Sequence, residues 1–465
     1  MRSESRRSRF RAAAVLALLV LGPVACSDLL EVDIPGNVTE DALNDFQLAE
    51  TLVLSAQGDF ECGFVDYMRF PGQWFEEFQN SSQSRPDALS GLRSALIAVY
   101  ADPCDSGTGP IWTTMQVPRQ QAQRAVELIN SFDPLLVPGR DFLIAKARMY
   151  EGYSIQLLGE QFCGVSFDSG PLMTREQTWA EAEVRFDEAI AMADAAIAAG
   201  TRVTEATAVR YGAYVGRARS RMYQGDPAGA IADATEVSNA PESGTGSFNQ
   251  YLATYDANPG RRRNRIFESN NAGGAMMPHR DYTDLRIDPA TGHTVDYATD
   301  THLTGAGTED PRVVVSLGPD PDPRGFTEYR RQQKYSGSSN PVGYAADIPF
   351  ATWREARLMI AELDPAQSVA IINELRTSTR GLPPGVSASA WPLPTFLDAG
   401  LTPAQIALAV QEERRRELWM QGTQAGDKIR WGYPAWDDAD EYGQALGAGG
   451  CMAVPYLEET SNTNL

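Results

Sequence analysis

The sequence predicts a mainly α-helical protein whose helices pack as pairs, interrupted by one irregular, loop-rich region that contains short strands. Apolar residues recur at helical spacing over most of residues 42–246 and 351–432. Residues 247–350 are instead rich in Gly, Asp and Pro, with short β-like runs such as residues 312–317. The remaining residues, 433–465, form a C-terminal tail.

Three helical stretches are predicted in the first third of the chain. They cover residues 41–78, 111–132 and 142–158, and the turn Pro138–Gly139 joins the last two. The short tether before the first helix, residues 26–41, carries a Pro-Gly pair.

The middle helices have clear start and stop signals. Thr178 and Glu181 have the spacing of a capping box, and Gly200 is a suitable stop. Asp226–Pro227 then supplies an N-cap and a first-turn proline. The helix between these signals has a stripe of small residues that allows close helix approach: Val209, Ala213, Gly216 and Ser220. Such helices and turns resemble tetratricopeptide-like pairs.

The same arrangement recurs near the C-terminus. The helix Trp353–Leu363 is followed by Asp-Pro and a second helix, and Thr402 caps a helix over residues 403–421. The apolar stripe of this last helix contains Glu413, Arg414 and Glu417. Charges inside an apolar stripe are tolerated when they are paired, so we expect structural ion pairs. The alternative interpretation of the two glutamates is a catalytic carboxylate pair.

The N-terminus carries an export signal. Five arginines precede the apolar run of residues 12–21, and Ala25 stands directly before Cys26. This pattern resembles the lipobox of bacterial lipoproteins, in which residues 1–25 are removed and Cys26 is acylated; ordinary secretion is the alternative. Several acyl chains would anchor the mature chain stably on a membrane.

Four cysteines remain after Cys26, and an even number in an exported chain indicates two disulfides. Cys62 lies in a helical stretch and Cys104 in the loop before the next helix. A local pairing Cys62–Cys104 and a long-range pairing Cys163–Cys451 are therefore predicted, with free buried thiols as the alternative.

Charge and composition exclude several classes of function. The formal net charge is −21, and removal of residues 1–25 leaves 35 basic against 60 acidic residues. Such a chain repels phosphate backbones, which argues against nucleic-acid binding. The three histidines have no metal-ligand spacing, and no glycine-rich phosphate loop occurs, so we expect no metal and no cofactor.

The C-terminal helix and the residues after it resemble the signature of the SusD/RagB family. Residues 411–432 read QEERRRELWMQGTQAGDKIRWG. The positions that match the family pattern are Glu413, Arg414, Glu417, Leu418, Gly422, Asp427, Arg430, Trp431 and Gly432. Gln421 and Gln424 stand where Glu and Arg are usual. Five further segments are similar to the family and occur along the chain in the same order as in the family: residues 26–32, 145–159, 310–312, 353–363 and 372–376.

The resemblance implies a lipoprotein on the outer face of the outer membrane. Such proteins capture a nutrient, usually a glycan, and cap a SusC-like TonB-dependent transporter without performing chemistry. It also implies a single SusD-like domain, here residues 42–465, with four tetratricopeptide-like pairs and an irregular part that carries the ligand site.

In this family the ligand site draws on the loop after the first long helix and on the central irregular region. Sugar recognition uses aromatic faces and polar groups that fix hydroxyls. The residues predicted to bind the ligand are Trp74, Phe78, Asn80, Arg85, Tyr282 and Tyr335. The central region also holds Tyr297, Tyr329 and Tyr344, and burial of the Trp74 and Phe75 rings in the core is the alternative.

Two rival functions differ in what they do to a ligand. A surface glycosidase would cleave a glycan with two carboxylates. A tetratricopeptide-like scaffold would bind a peptide in a long groove.

Overall fold

The first six helices pack one against the next along the chain, and a region of short strands is inserted before the C-terminal helices. The computed structural model describes residues 41–81, 111–258, 262–272, 274–283, 285–296, 310–321, 328–335, 342–383, 385–432, 451 and 454–465. Residues 46–465 form one compact unit; of residues 1–45, the structure describes the 3₁₀ turn Asp41–Asn44. The mainly α-helical class is confirmed.

Six helices build the first part of the scaffold. They are α1 (Ala49–Trp74), α2 (Ile111–Ser131), α3 (Arg140–Gln161), α4 (Arg175–Ala198), α5 (Val203–Gln224) and α6 (Pro227–Ser238), and a short strand β1 (Phe78–Asn80) follows α1. Each helix packs against its successor in the chain. A 3₁₀ turn, Pro134–Leu136, lies between α2 and α3.

The inserted region contains short elements. In chain order they are β2 (Gln250–Ala253), α7 (Arg265–Phe267), β3 (Met276–Pro278), α8 (Arg280–Thr283), β4 (Leu285–Ile287), β5 (Thr294–Asp296), β6 (Val315–Pro321), β7 (Glu328–Gln332) and β8 (Ile348–Thr352). They form antiparallel pairs: β1 with β3, β2 with β8, β4 with β5, and β6 with β7.

Pairing of β2 with β8 holds the two ends of the insertion together. Gln250 lies opposite Thr352, and Ala253 opposite Ile348. The chain therefore re-enters the scaffold next to the point where it left, and α9 (Trp353–Leu363) packs against α6. The remaining helices are α10 (Ser368–Thr377), α11 (Pro403–Glu417), α12 (Gln424–Arg430) and α13 (Tyr456–Ser461).

An aromatic cluster joins the insertion to the helical core. The ring of Phe350, from β8, lies 5.2 Å from that of Phe60 and 4.9 Å from that of Tyr153. The Tyr153 ring also lies 5.0 Å from that of Phe186, and Phe186 covers Gly216 of the predicted small-residue stripe. The small residues of the stripe thus leave space for the Phe186 ring where the helices pack closely.

The predicted capping box at Thr178 and Glu181 is wrong by one turn. The structure places it at Thr174 and Gln177, whose side chains exchange hydrogen bonds with each other's backbone N–H. Both sequence windows fit the pattern, and the upstream one is used because the helix extends back to Arg175. Thr178 is buried and donates its hydroxyl to the Thr174 carbonyl at 2.8 Å.

The structure contains the Cys163–Cys451 disulfide, with 5.0 Å between the two Cα atoms. It links the loop after α3 to the segment before α13. Cys62 is also disulfide-bonded, while Cys104, the partner predicted for it, lies outside the described residues.

Candidate functional site

Strand pairing brings together the two segments from which the ligand site was predicted to be built. In the β1–β3 pair, Phe78 lies opposite Pro278 and Asn80 opposite Met276. Ser81 extends the pairing, since its N–H and its hydroxyl donate to the carbonyls of Ala275 and Gly274 at 3.1 and 2.8 Å. The segment after α1 is therefore fixed to the central region, and we call this junction the β1–β3 face.

The predicted aromatic residues do not present open ring faces there. Phe78, Tyr282 and Tyr335 are only 1%, 2% and 1% exposed. Phe78 packs on the Gly72 backbone, and the Tyr282 ring lies 6.0 Å from that of Trp419. These three residues therefore pack the junction between the two segments, and their contact with a sugar stays a prediction.

The other predicted ligand residues lie in several different parts of the chain. Trp74 is the last residue of α1, and Asn80 is the last residue of β1, where it lies opposite Met276. Arg85 and Tyr297 lie outside the described residues. Tyr344 keeps a partly exposed ring, and the Arg263 guanidinium lies 4.8 Å from its centre.

Two buried charged residues fix the end of α11 beneath this face. Lys334 donates its ammonium to the carbonyls of Trp419 and Glu417 at 2.6 and 3.3 Å. The Glu77 carboxylate accepts the Met420 N–H at 2.5 Å. Burial raises the pKa of Glu77 to about 7 and lowers the pKa of Lys334 to about 7.

The charges in the α11 stripe form a buried ion-pair network. Glu413 accepts from Arg312 at 2.5 Å and also from Arg376. Glu417 accepts from Arg354 Nη2 at 3.0 Å and pairs with Arg312 at 3.4 Å. Burial opposes ionisation of Glu413, but the two arginines outweigh it and lower its pKa to about 2.

A second branch of this network reaches the scaffold. Arg414 donates to Asp427 at 2.7 Å and lies 3.5 Å from Glu355, which Arg219 of α5 holds with two bonds of 2.8 Å. Together the branches connect the insertion, α9, α10, α11 and α5. Glu413, Arg414 and Glu417 therefore lie in structural ion pairs, and arginines engage the carboxylates of both Glu413 and Glu417.

Sequence reasoning missed the arginine partners of this network. Arg312, Arg354 and Arg376 each belong to a segment that resembles the family, yet none was assigned a role. The available signal was the placement of an arginine on the buried, otherwise apolar side of α9 and of α10. Gln421 and Gln424, which depart from the family pattern, donate instead to the carbonyls of Glu417 and Phe75 at 3.0 and 3.4 Å.

The described part of the chain contains neither a metal-binding cluster nor a membrane-spanning helix. Within it, no group of three or more His, Cys, Asp or Glu side chains could hold a metal ion. Across those same residues, no helix has both the length and the apolar character needed to cross a bilayer.

Comparison with solved structures identifies the fold. A SusD-like carbohydrate-binding protein from Bacteroides vulgatus matches with a TM-score of 0.57 and 12% identity, over 90% of this chain and 97% of that one. A SusD superfamily protein from Bacteroides fragilis matches with a TM-score of 0.59 and 11% identity, over 90% and 100%. Surface glycan-binding protein A from Bacteroides thetaiotaomicron, in complex with laminarihexaose, matches with 0.54 and 12%, over 90% and 98%.

These matches define a class: the chain has the SusD-like fold over nearly its whole length. The expected resemblance to the SusD/RagB family is thereby confirmed at the level of the fold. No protein-family model matches the chain, and no curated protein is significantly similar to it.

Proposed function

We propose that this chain is a SusD/RagB-family lipoprotein that captures an oligosaccharide at the cell surface. The observation that carries the proposal is the SusD-like fold, shared over about nine-tenths of the chain with proteins described as carbohydrate-binding and glycan-binding. The joining of the segment after α1 to the central region, through β1 and β3, supports a ligand site at that junction.

The proposed role is capture without catalysis. Glu413 and Glu417 are the carboxylates that the sequence offered as a catalytic pair, and arginines engage both of them in the interior. A retaining or inverting glycosidase needs its two carboxyl groups free on either side of the bond to be cleaved. We expect an oligosaccharide that has been incubated with this protein to be recovered intact.

The mature chain is proposed to be anchored by acyl chains on Cys26, to lie on the outer face of the outer membrane and to deliver its ligand to a SusC-like TonB-dependent transporter. The Ala25–Cys26 sequence after an apolar run is the support for the anchor. Mass spectrometry of the mature N-terminus tests it: we expect a lipid-modified Cys26, whereas an unmodified cysteine would contradict the anchor.

The test of capture is calorimetry against neutral hexasaccharides: laminari-, malto-, xylo-, cello- and mannohexaose. We expect at least one of them to bind and to be recovered uncleaved by chromatography. Cleavage would support the glycosidase alternative. Binding of peptides, with none of the sugars bound, would support the tetratricopeptide-like scaffold.

A further inference from the structure

A second concave site lies on α11, away from the β1–β3 face. It is a pocket of about 240 Å³ between α11, the residues flanking the start of β5, and the connection between α10 and α11. We call it the α11 pocket. Its lining includes Arg376, Phe396, Gln405, Leu408, Glu412 and Glu413. Since a water molecule takes up about 30 Å³ of liquid, the pocket has space for several waters or one sugar ring.

The floor of the pocket consists of charged side chains that are already paired with other protein groups. Arg376 donates to Glu413 and to the carbonyls of Gly292 and Pro394, at 2.5 and 2.8 Å for the two carbonyls. Glu413 also accepts from Arg312. Because these charges neutralise one another, the floor offers no uncompensated charge to a ligand, and it favours an uncharged one.

The walls are divided between apolar and hydrogen-bonding side chains. Phe396, Leu401 and Ala409 are apolar, whereas Thr294, Gln405 and Glu412 carry oxygens and an amide. An oligosaccharide has the same division, since each pyranose ring has C–H surfaces and hydroxyl groups.

The mouth of the pocket exposes unusual apolar area. Leu408 lines it and is 59% exposed, and Leu397, the neighbour of Phe396, is 46% exposed. Isolated exposed leucines are ordinary, but two beside one pocket mark a place where a ligand would remove apolar surface from water. His293 donates from Nε2 to the Leu397 carbonyl at 2.6 Å, which holds this rim against β5.

From this arrangement we infer that the α11 pocket is a second sugar-binding subsite, which takes one pyranose unit of a neutral oligosaccharide. The inference rests on the proposed function, because it assigns a further contact to the same class of ligand. It differs in location, since it uses α11 and the rim at Leu397 rather than the β1–β3 face.

The test compares Leu408→Asp with Leu54→Asp. Both leucines lie on helices, and Leu54 is similarly exposed at 51% but does not line the pocket. The new carboxylate at position 408 would replace apolar rim surface with a hydrated charge next to Glu412. For a hexasaccharide that the wild-type protein binds in calorimetry, we expect about tenfold weaker binding by Leu408→Asp and unchanged binding by Leu54→Asp.

Each outcome separates this inference from the proposed function. Unchanged affinity in Leu408→Asp would overturn the subsite and leave glycan capture intact. Failure of the wild-type protein to bind any of the five hexasaccharides would contradict both. A crystal of the wild-type complex gives a readout that needs no variant: a sugar ring in the α11 pocket is expected, and a ligand confined to other surfaces would overturn the subsite.

Discussion

Glu413 lies between Arg312 and Arg376, and its removal leaves both guanidinium groups buried with one partner fewer. Loss of one member of a buried ion pair typically costs ~3–5 kcal/mol, so we expect Glu413→Ala to lower the free energy of unfolding by about that amount. Urea unfolding measures it. The matched control is Glu127→Ala, which removes a half-exposed carboxylate 3.4 Å from Arg124 and should cost less than about 1 kcal/mol.

Glu413 should also make the stability of the fold depend on pH, in a direction that its pKa determines. Its pKa in the folded protein is about 2, below the ordinary value of 4.5, so its stabilising effect is present above pH 4.5 and is lost as the pH falls towards 2. The difference in stability between wild type and Glu413→Gln should therefore be largest near neutral pH and shrink below pH 4.5. A difference that grows on acidification would contradict the ion-pair role.

Glu160 should affect the pH dependence of stability in the direction opposite to that of Glu413. Burial raises its pKa to about 8, although Arg219 opposes the shift, and the Tyr67 hydroxyl donates to it at 2.8 Å. A folded pKa above the unfolded one means that folding is favoured as the pH falls from about 8 towards 4.5. Glu160→Gln, which resembles the protonated acid, should therefore be tolerated and should flatten the rise in melting temperature over that range. A rise of unchanged slope would show that Glu160 does not titrate there.

At the scale of elements, substitution of two helical glycines distinguishes the effect of close packing on stability from the effect of helix propensity. A Cβ on Gly216 of α5 would lie 2.3 Å from Phe186 Cζ, whereas one on Gly58 of α1 would meet nothing within 4 Å. We expect Gly216→Ala to destabilise the fold by ~1–3 kcal/mol because the ring has to move. Gly58→Ala should instead stabilise it by up to ~1 kcal/mol. Thermal unfolding of both variants checks the pair, and similar shifts in the same direction would contradict the packing argument.

The C-terminal element is tied to the loop after α3 by more than the Cys163–Cys451 bond. Ser166 donates to Glu458 at 2.7 Å, and Asn462 to the Gly170 carbonyl at 2.9 Å. The disulfide closes a loop with a sequence separation of 288, for which chain entropy predicts ~5 kcal/mol of stabilisation. Cys451→Ser should therefore lower stability markedly under oxidising conditions and expose α13 to proteolysis. Thr463→Ala, an exposed change in the same segment, should do neither.

Sequence patterns located most elements well but not all of their ends. Trp353–Leu363 and the cap at Thr402 agree with the structure, because Asp364 and Thr402 are unambiguous stop and start signals. The predicted extension of α11 to Gln421 fails because Met420 adopts a left-handed conformation, with φ at 57°, while Lys334 holds the carbonyl before it. That interaction is between residues distant in sequence, so no local pattern could have indicated it.

For the whole molecule, the resemblance to the SusD/RagB family predicted which segments would meet, but nothing in the sequence predicted which side chains would face outwards. The β1–β3 pairing joins the two expected segments, yet Tyr282 and Tyr335 are buried because α11 and the residues after it cover them. Aromatic residues serve equally well as core and as ligand platforms, so composition alone cannot separate these roles. The α11 pocket was missed because its lining comes from three separate stretches of chain.

The net charge of the molecule supplies a last prediction, on the kind of glycan it accepts. With 35 basic against 60 acidic residues after removal of residues 1–25, the long-range field repels anionic ligands, and salt screens that repulsion over about 10 Å at 0.1 M. Affinity for a neutral hexasaccharide should therefore change by less than about twofold between low and high salt, because no charge pair is made. An oligogalacturonate of the same length should bind more weakly, and weakest at low salt. Calorimetry at both salt concentrations decides, and tighter binding of the uronate at low salt would reveal a local basic site that overrides the acidic surface.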